Sequence, residues 1–138
     1  MDASVLRRLA RRYTEAWCSQ DASRVASFFS PKGSLAINGG VAAVGRAAIT
    51  EAAQGFMTAF PDLSVAMDEL EDGSIGVGRA VYRWTLKGTD NGPLGRGNAL
   101  KISGFEVWRF GADGLIAESL GYFDGEDFQR QLRAGSKE

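Results

Sequence analysis

Glu106 sits where a carboxyl group can do chemistry, inside an otherwise apolar stripe of a strand. From Leu100 to Phe110 the side chains of Leu100, Ile102, Glu106, Trp108 and Phe110 share one face by the two-residue period, and Gly104 adds no bulk. A carboxylate there loses hydration, which disfavours its charged form and raises its pKa unless a cation compensates. Such a group can donate a proton, act as a base near neutrality, or anchor a ligand oxygen. The competing reading is structural: Glu106 pairs with Arg79 or Arg83 of a neighbouring strand, or the face carrying Phe105 and Val107 is the buried one.

Two further side chains join it as candidates. Tyr13 lies one helical turn from both Leu9 and Trp17, so its ring is expected inside and its hydroxyl needs a partner, either a ligand, Glu106 or a backbone carbonyl. Asp124 follows the last strand and reads as the N-cap of a terminal helix, or else as a base at a cavity mouth together with Glu118. Trp17, Phe56, Phe60, Trp84 and Trp108 come from four separate elements and several must converge, forming core or the wall of a pocket; a small-molecule site needs roughly 300 Å³ or more.

Other chemistry is excluded by what the chain lacks. It has no histidine, which removes hydrolytic triads and histidine-based metal sites. The acidic run Asp68-Glu69-Leu70-Glu71-Asp72 lacks the spaced oxygen ligands of a calcium loop. Gly88 to Gly97 is glycine-rich, but no Gly-Lys-Ser/Thr and no helix follow, so it does not cradle phosphate. No cofactor and no metal are expected.

The elements that position these residues follow from periodicity. Val5, Leu9, Tyr13, Ala16 and Trp17 mark an amphipathic helix with Arg7, Arg8, Arg11 and Arg12 on its solvated side. Asp21 caps a shorter helix expected to carry Val25, Phe28 and Phe29 as far as Pro31. Ser34 to Asn38 is a short strand, and Arg46 to Phe60 a helix with Ile49, Ala52, Ala53, Phe56 and Phe60 on one stripe, stopped by Pro61. Alternation then takes over. Leu63, Val65 and Met67 lead to a turn at Asp72-Gly73, and Ala80, Tyr82, Trp84 and Leu86 share a face of the next strand. Strands over Leu100 to Phe110 and Leu115 to Phe123 precede a final helix through Phe128 and Leu132. Helices first and mostly antiparallel strands after imply an α+β fold, with helices on one face of a curved sheet.

With 138 residues the chain fits a single domain, 1–138. Hydrophobic content of 44%, charged content of 24% and a net charge of −1 describe an ordinary water-soluble protein with no broad electrostatic case for nucleic acid or membrane. A single cysteine, Cys18, and no secretion-type start point to a reducing cytoplasm.

The pattern Arg12-Tyr13-Thr14-Glu15-Ala16-Trp17, then Asp21, Phe28-Phe29 and Gly45-Arg46-Ala47-Ala48-Ile49, resembles the nuclear transport factor 2-like superfamily. Leu86 to Leu94, with Gly114 to Glu118 and Tyr122-Phe123-Asp124 to Leu132, is similar to its SnoaL-like polyketide cyclase branch. The resemblance implies a cone-shaped α+β barrel, often dimeric through the outer sheet face, with a hydrophobic pocket and frequently no cofactor. It implies Asp124 as acid/base of an aldol cyclisation. A weaker similarity, to ketosteroid isomerases of the same superfamily, matches Tyr13 to the oxyanion-hole tyrosine and Glu106 to the protonated acid, and puts Asn38 where the base would stand. The function expected is binding of a small hydrophobic or polyketide-like molecule with cofactor-free cyclase or isomerase chemistry, or else a non-catalytic binding or interaction module.

Overall fold

The computed structural model describes residues 2–72 and 78–134. Its elements in chain order are α1 (Ala3–Cys18), α2 (Ala22–Ala26), β1 (Phe29–Ile37), β2 (Ala43–Val44), α3 (Arg46–Ala59), β3 (Ser64–Asp72), β4 (Arg79–Thr89), β5 (Ala99–Phe110), β6 (Ile116–Phe123) and α4 (Gly125–Ala134). The turn expected at Asp72-Gly73 lies outside the described residues.

Local chemistry explains the helix starts. Asp2 caps α1 by accepting from the Val5 N–H at 2.9 Å, and Asp21 caps α2 by accepting from the Ser23 N–H at 3.1 Å. Along α1 the buried face is Leu6, Ala10, Tyr13, Ala16 and Trp17, with Leu9 at its margin and the four arginines exposed. The second helix is shorter than its apolar spacing suggests. It ends at Ala26, the chain turns at Ser27-Phe28, and Phe29 already belongs to β1. Pro31 therefore stands inside a strand, where the β1–β6 register is interrupted between Phe29 and Ser34, so its missing N–H costs no ladder bond.

The six strands form one sheet in the order β2-β1-β6-β5-β4-β3, antiparallel throughout except for the β1–β6 pair. Three of the described helices pack on this sheet, α1 on β3, α3 on β1 and α4 on β5, while α2 packs on α3 and α1. This is the α+β architecture that the residue pattern implied, with helices packed on a mostly antiparallel sheet. No described helix is long and apolar enough to cross a membrane.

Register then fixes which residues meet. Three rows run across β4, β5 and β6: Ala80-Trp108-Ser119, Tyr82-Glu106-Gly121 and Trp84-Gly104-Phe123. Each row shares one inner face, because side chains two apart along a strand point the same way. Gly104 is required in its row, since a Cβ there would lie 2.6 Å from the Trp84 ring and 2.3 Å from the Tyr122 carbonyl oxygen. The outer face carries Arg83, Phe105, Arg109, Glu118 and Tyr122, with Arg83 3.3 Å from Glu71 and Arg109 3.9 Å from Glu118.

Candidate functional site

Alternation along β5 brings Glu106 to the inner face, 7% exposed, and the helical stripe of α1 lowers Tyr13 onto it. The Tyr13 hydroxyl donates to both carboxyl oxygens, at 3.0 Å to Oε1 and 3.2 Å to Oε2. Ser119 Oγ, from the neighbouring strand, donates to Oε1 at 2.6 Å, and Trp108 Nε1 to the same oxygen at 3.0 Å. Oε1 thus receives three donors while Oε2 shares one. Arg79 and Arg83 take no part; Arg83 lies on the outer face with Glu69 and Glu71.

Burial dominates the electrostatics of this cluster. It pushes the Glu106 pKa up, against the partial compensation of the bonds from Ser119, Trp108 and Tyr13. Tyr13 is raised well above its ordinary value by burial and then by the Glu106 charge, and Tyr82 is raised mainly by burial. Both phenols stay neutral donors. Thr14 Oγ1 donates to the Ala10 carbonyl at 2.8 Å, which leaves it to accept from the Tyr82 hydroxyl at 2.5 Å.

The raised Glu106 pKa has a thermodynamic consequence. The folded chain holds this proton more tightly than the unfolded chain, so Glu106 contributes stability fully present below the unfolded pKa of about 4.5 and lost as pH rises through the folded value. Urea unfolding from pH 4 upward is therefore expected to show a decline that Glu106→Gln flattens. A parallel decline in both proteins would assign it to other groups.

Glu106 and Tyr13 border an apolar cavity whose floor includes Leu35, Leu86 and Ile102 and whose rim includes the half-buried Phe56, Trp84, Phe123 and Phe128. Trp17 also lines it. Its free volume is about 70 Å³, the share of about two water molecules in the liquid. That is well below the size expected of a small-molecule site, because the aromatic side chains that wall the hollow also fill it.

Five sequence-predicted residues therefore meet at one place: Glu106, Tyr13, Trp17, Phe56 and Trp84. Four do not line the cavity. Trp108 is fully buried behind Glu106 and stacks on Tyr82 at 4.7 Å. Phe60 is core, edge-on to Phe128 at 6.1 Å. Asn38 is exposed, in the left-handed region at φ 52°, and its Oδ1 accepts from the Phe123 N–H at 2.9 Å, so it holds the rim in place. Asp124 is exposed too. It accepts from the Asp127 N–H at 3.1 Å through Oδ1 and from the Phe128 N–H at 3.0 Å through its carbonyl, which makes it the cap of α4 and leaves the cavity mouth without it.

Sequence reasoning missed Ser119, Gly121, Phe123 and Phe128 as parts of the site, and placed Tyr82 on the right strand face without assigning it a role. Tyr82 was readable from its alternation with Trp84, and Phe128 from the terminal helix; Ser119 and Gly121 depend on the β5–β6 register. Among the described residues no group of three His, Cys, Asp or Glu side chains could hold a metal ion.

Solved structures share this fold. A protein from Jannaschia sp. CCS1 assigned as a SnoaL-like polyketide cyclase superposes with a TM-score of 0.81 at 16% identity, over 96% of this chain and 94% of that one. SalBIII, an epoxide hydrolase/cyclase-like enzyme with a role in pyran ring formation in the polyether salinomycin, gives 0.77 at 18% identity, over 91% and 95%. A hypothetical protein of ketosteroid isomerase-like fold from Catenulispora acidiphila DSM 44928, in complex with trimethylamine, gives 0.77 at 12% identity, over 91% and 92%. No curated protein matches the sequence. The family profile of the SnoaL-like domain, by contrast, spans residues 10–119, from the inner stripe of α1 to the serine beside Glu106, and the chain belongs to that family.

Proposed function

We propose that the chain binds a compact, largely apolar small molecule in this cavity and that Glu106 exchanges a proton with it, in cofactor-free chemistry of the cyclase or isomerase kind. The observation that carries this reading is the state of Glu106: a buried carboxyl bordering an apolar hollow, bonded by three neutral donors and faced by no cation. Ketosteroid isomerase sites also raise a carboxyl pKa by apolar surroundings, there to keep an acid neutral as a hydrogen-bond donor. Neighbours of the same fold include a SnoaL-like polyketide cyclase, the cyclase-like SalBIII and a protein that holds trimethylamine, which supports a small-molecule reading.

The test is hydrogen–deuterium exchange at the activated C–H of butanone, which has five non-hydrogen atoms, with wild type and Glu106→Gln. A ketone that stabilises the protein without exchanging favours a binding module instead.

For the assembly, the outer sheet face supports a homodimer. The Phe105 and Tyr122 rings lie 5.3 Å apart there, and the Arg83 guanidinium covers Phe105 at 5.5 Å. Sedimentation is expected to give twice the chain mass, and Phe105→Glu to halve it; a single-chain mass for wild type at high concentration overturns the dimer. A reducing cytoplasm, inferred from the lone Cys18, is part of the same reading.

A further inference from the structure

Resting on the reading of the cavity as a ligand site, we propose that it takes a small alkylammonium ion, with Glu106 ionised as the counter-charge and the aromatic rings as walls. Three features converge on this class. The first is the wall: seven of the lining residues are aromatic, contributed by α1, α3, β4, β6 and α4. Ring faces attract a cation, and they do so more strongly where water is excluded.

The second is charge. Facing Glu106 are Tyr13 from α1, Tyr82 from β4, Trp108 from its own strand, and Ser119 and Gly121 from β6. None is cationic, and among the described residues no lysine or arginine lines the cavity. Oε1 is saturated by its three donors, whereas Oε2 holds only the shared Tyr13 bond at 3.2 Å and has lone-pair capacity left for an N–H. An inorganic cation would need several oxygen ligands, and the cavity wall supplies one carboxyl group.

The third is size. The free volume of about 70 Å³ is small, so it favours the smallest members of the class, such as trimethylammonium with its four non-hydrogen atoms. Where Glu106 carries a proton, binding of the cation releases that proton to solvent and forms the carboxylate–ammonium pair; no other bond changes. Affinity then rises up to about tenfold per pH unit below the Glu106 pKa and levels off above it.

Titration calorimetry of the full chain with trimethylammonium chloride, and in parallel with butanone, tests this at several pH values in buffers of different ionisation enthalpy. The expected result is tighter trimethylammonium binding at higher pH with proton release, and a loss of about tenfold or more in Glu106→Gln while butanone changes less than about threefold. A flat pH profile, or an unchanged affinity in Glu106→Gln, overturns the proposal. Butanone binding without trimethylammonium binding overturns the ligand class and leaves the pocket standing; failure of both overturns the pocket itself. Should Glu106→Gln not fold, Phe128→Leu serves instead. It is expected to weaken trimethylammonium selectively, and an equal loss for both probes counts as plain packing and against the proposal.

Discussion

Replacing Trp108 with alanine is expected to remove about 4 kcal/mol of stability, a change of roughly a thousandfold in the folded-to-unfolded ratio. The indole is fully buried, stacked on Tyr82 at 4.7 Å and 15°, and edge-on to Tyr13 at 5.2 Å and to Phe110 at 5.9 Å. Truncation loses those contacts and leaves a cavity in a layer held between α1 and the sheet. It also removes the Nε1 donor that sits 3.0 Å from Glu106 Oε1, so the carboxyl group is held with one bond fewer and its pKa climbs further. Trp108→Phe narrows the comparison, because it keeps a six-membered ring in the stack while deleting the donor and the rest of the indole. Its cost should fall to about 1–3 kcal/mol. Urea unfolding of both variants measures this, and equal losses in the two would show that packing contributes nothing beyond the hydrogen bond.

Glu106→Gln should slow deuterium exchange into butanone by about a hundredfold, the lower end of what a positioned acid or base supplies. In the exchange the α-C–H proton passes to Oε2, an enolate forms, and a solvent-derived deuteron returns by the same oxygen. Glutamine keeps the length and an acceptor for Ser119 and Trp108, yet can neither take nor return the proton. Wild-type exchange by this route rises with pH until Glu106 is ionised, and the midpoint should stand above the ordinary carboxyl value, in the direction that burial pushes it. Tyr13 stays protonated across the same range, since burial and the neighbouring charge raise it well above 10. A profile with its midpoint at an ordinary carboxyl pKa, or equal exchange in the variant, would move the chemistry away from this residue.

Short-range periodicity made much of this visible beforehand. Strand alternation grouped Glu106 with an apolar face and Trp84 with Tyr82 while leaving open which face of β5 is inner, and the helical stripe delivered Tyr13 and Trp17 to the same hollow. The missing parts depend on contacts between distant segments. Ser119 and Gly121 matter because β6 pairs with β5 in one particular register, which two-residue alternation leaves open. Trp108 shares a strand face with Glu106, but depth separates them: one side chain borders the hollow and the other packs behind it. Asp124 was ambiguous between cap and base, and in the structure its bonds to Asp127 and Phe128 make it a cap of α4. Cavity size was illegible for a different reason, since it is a small difference between large volumes of ring and backbone.

The parallel seam between β1 and β6 also sets a schedule for biosynthesis. Ile37 finds its neighbour Gly121 only after most of the sheet has been made, and at about 5–20 residues per second that interval lasts several seconds on the ribosome. Throughout it Leu35 and Ile37 lie bare along one side, while the two-residue β2 shields little of the other. A nascent chain of this design carries an unpaired apolar strand edge until β6 has been made, the kind of exposure that invites aggregation during synthesis.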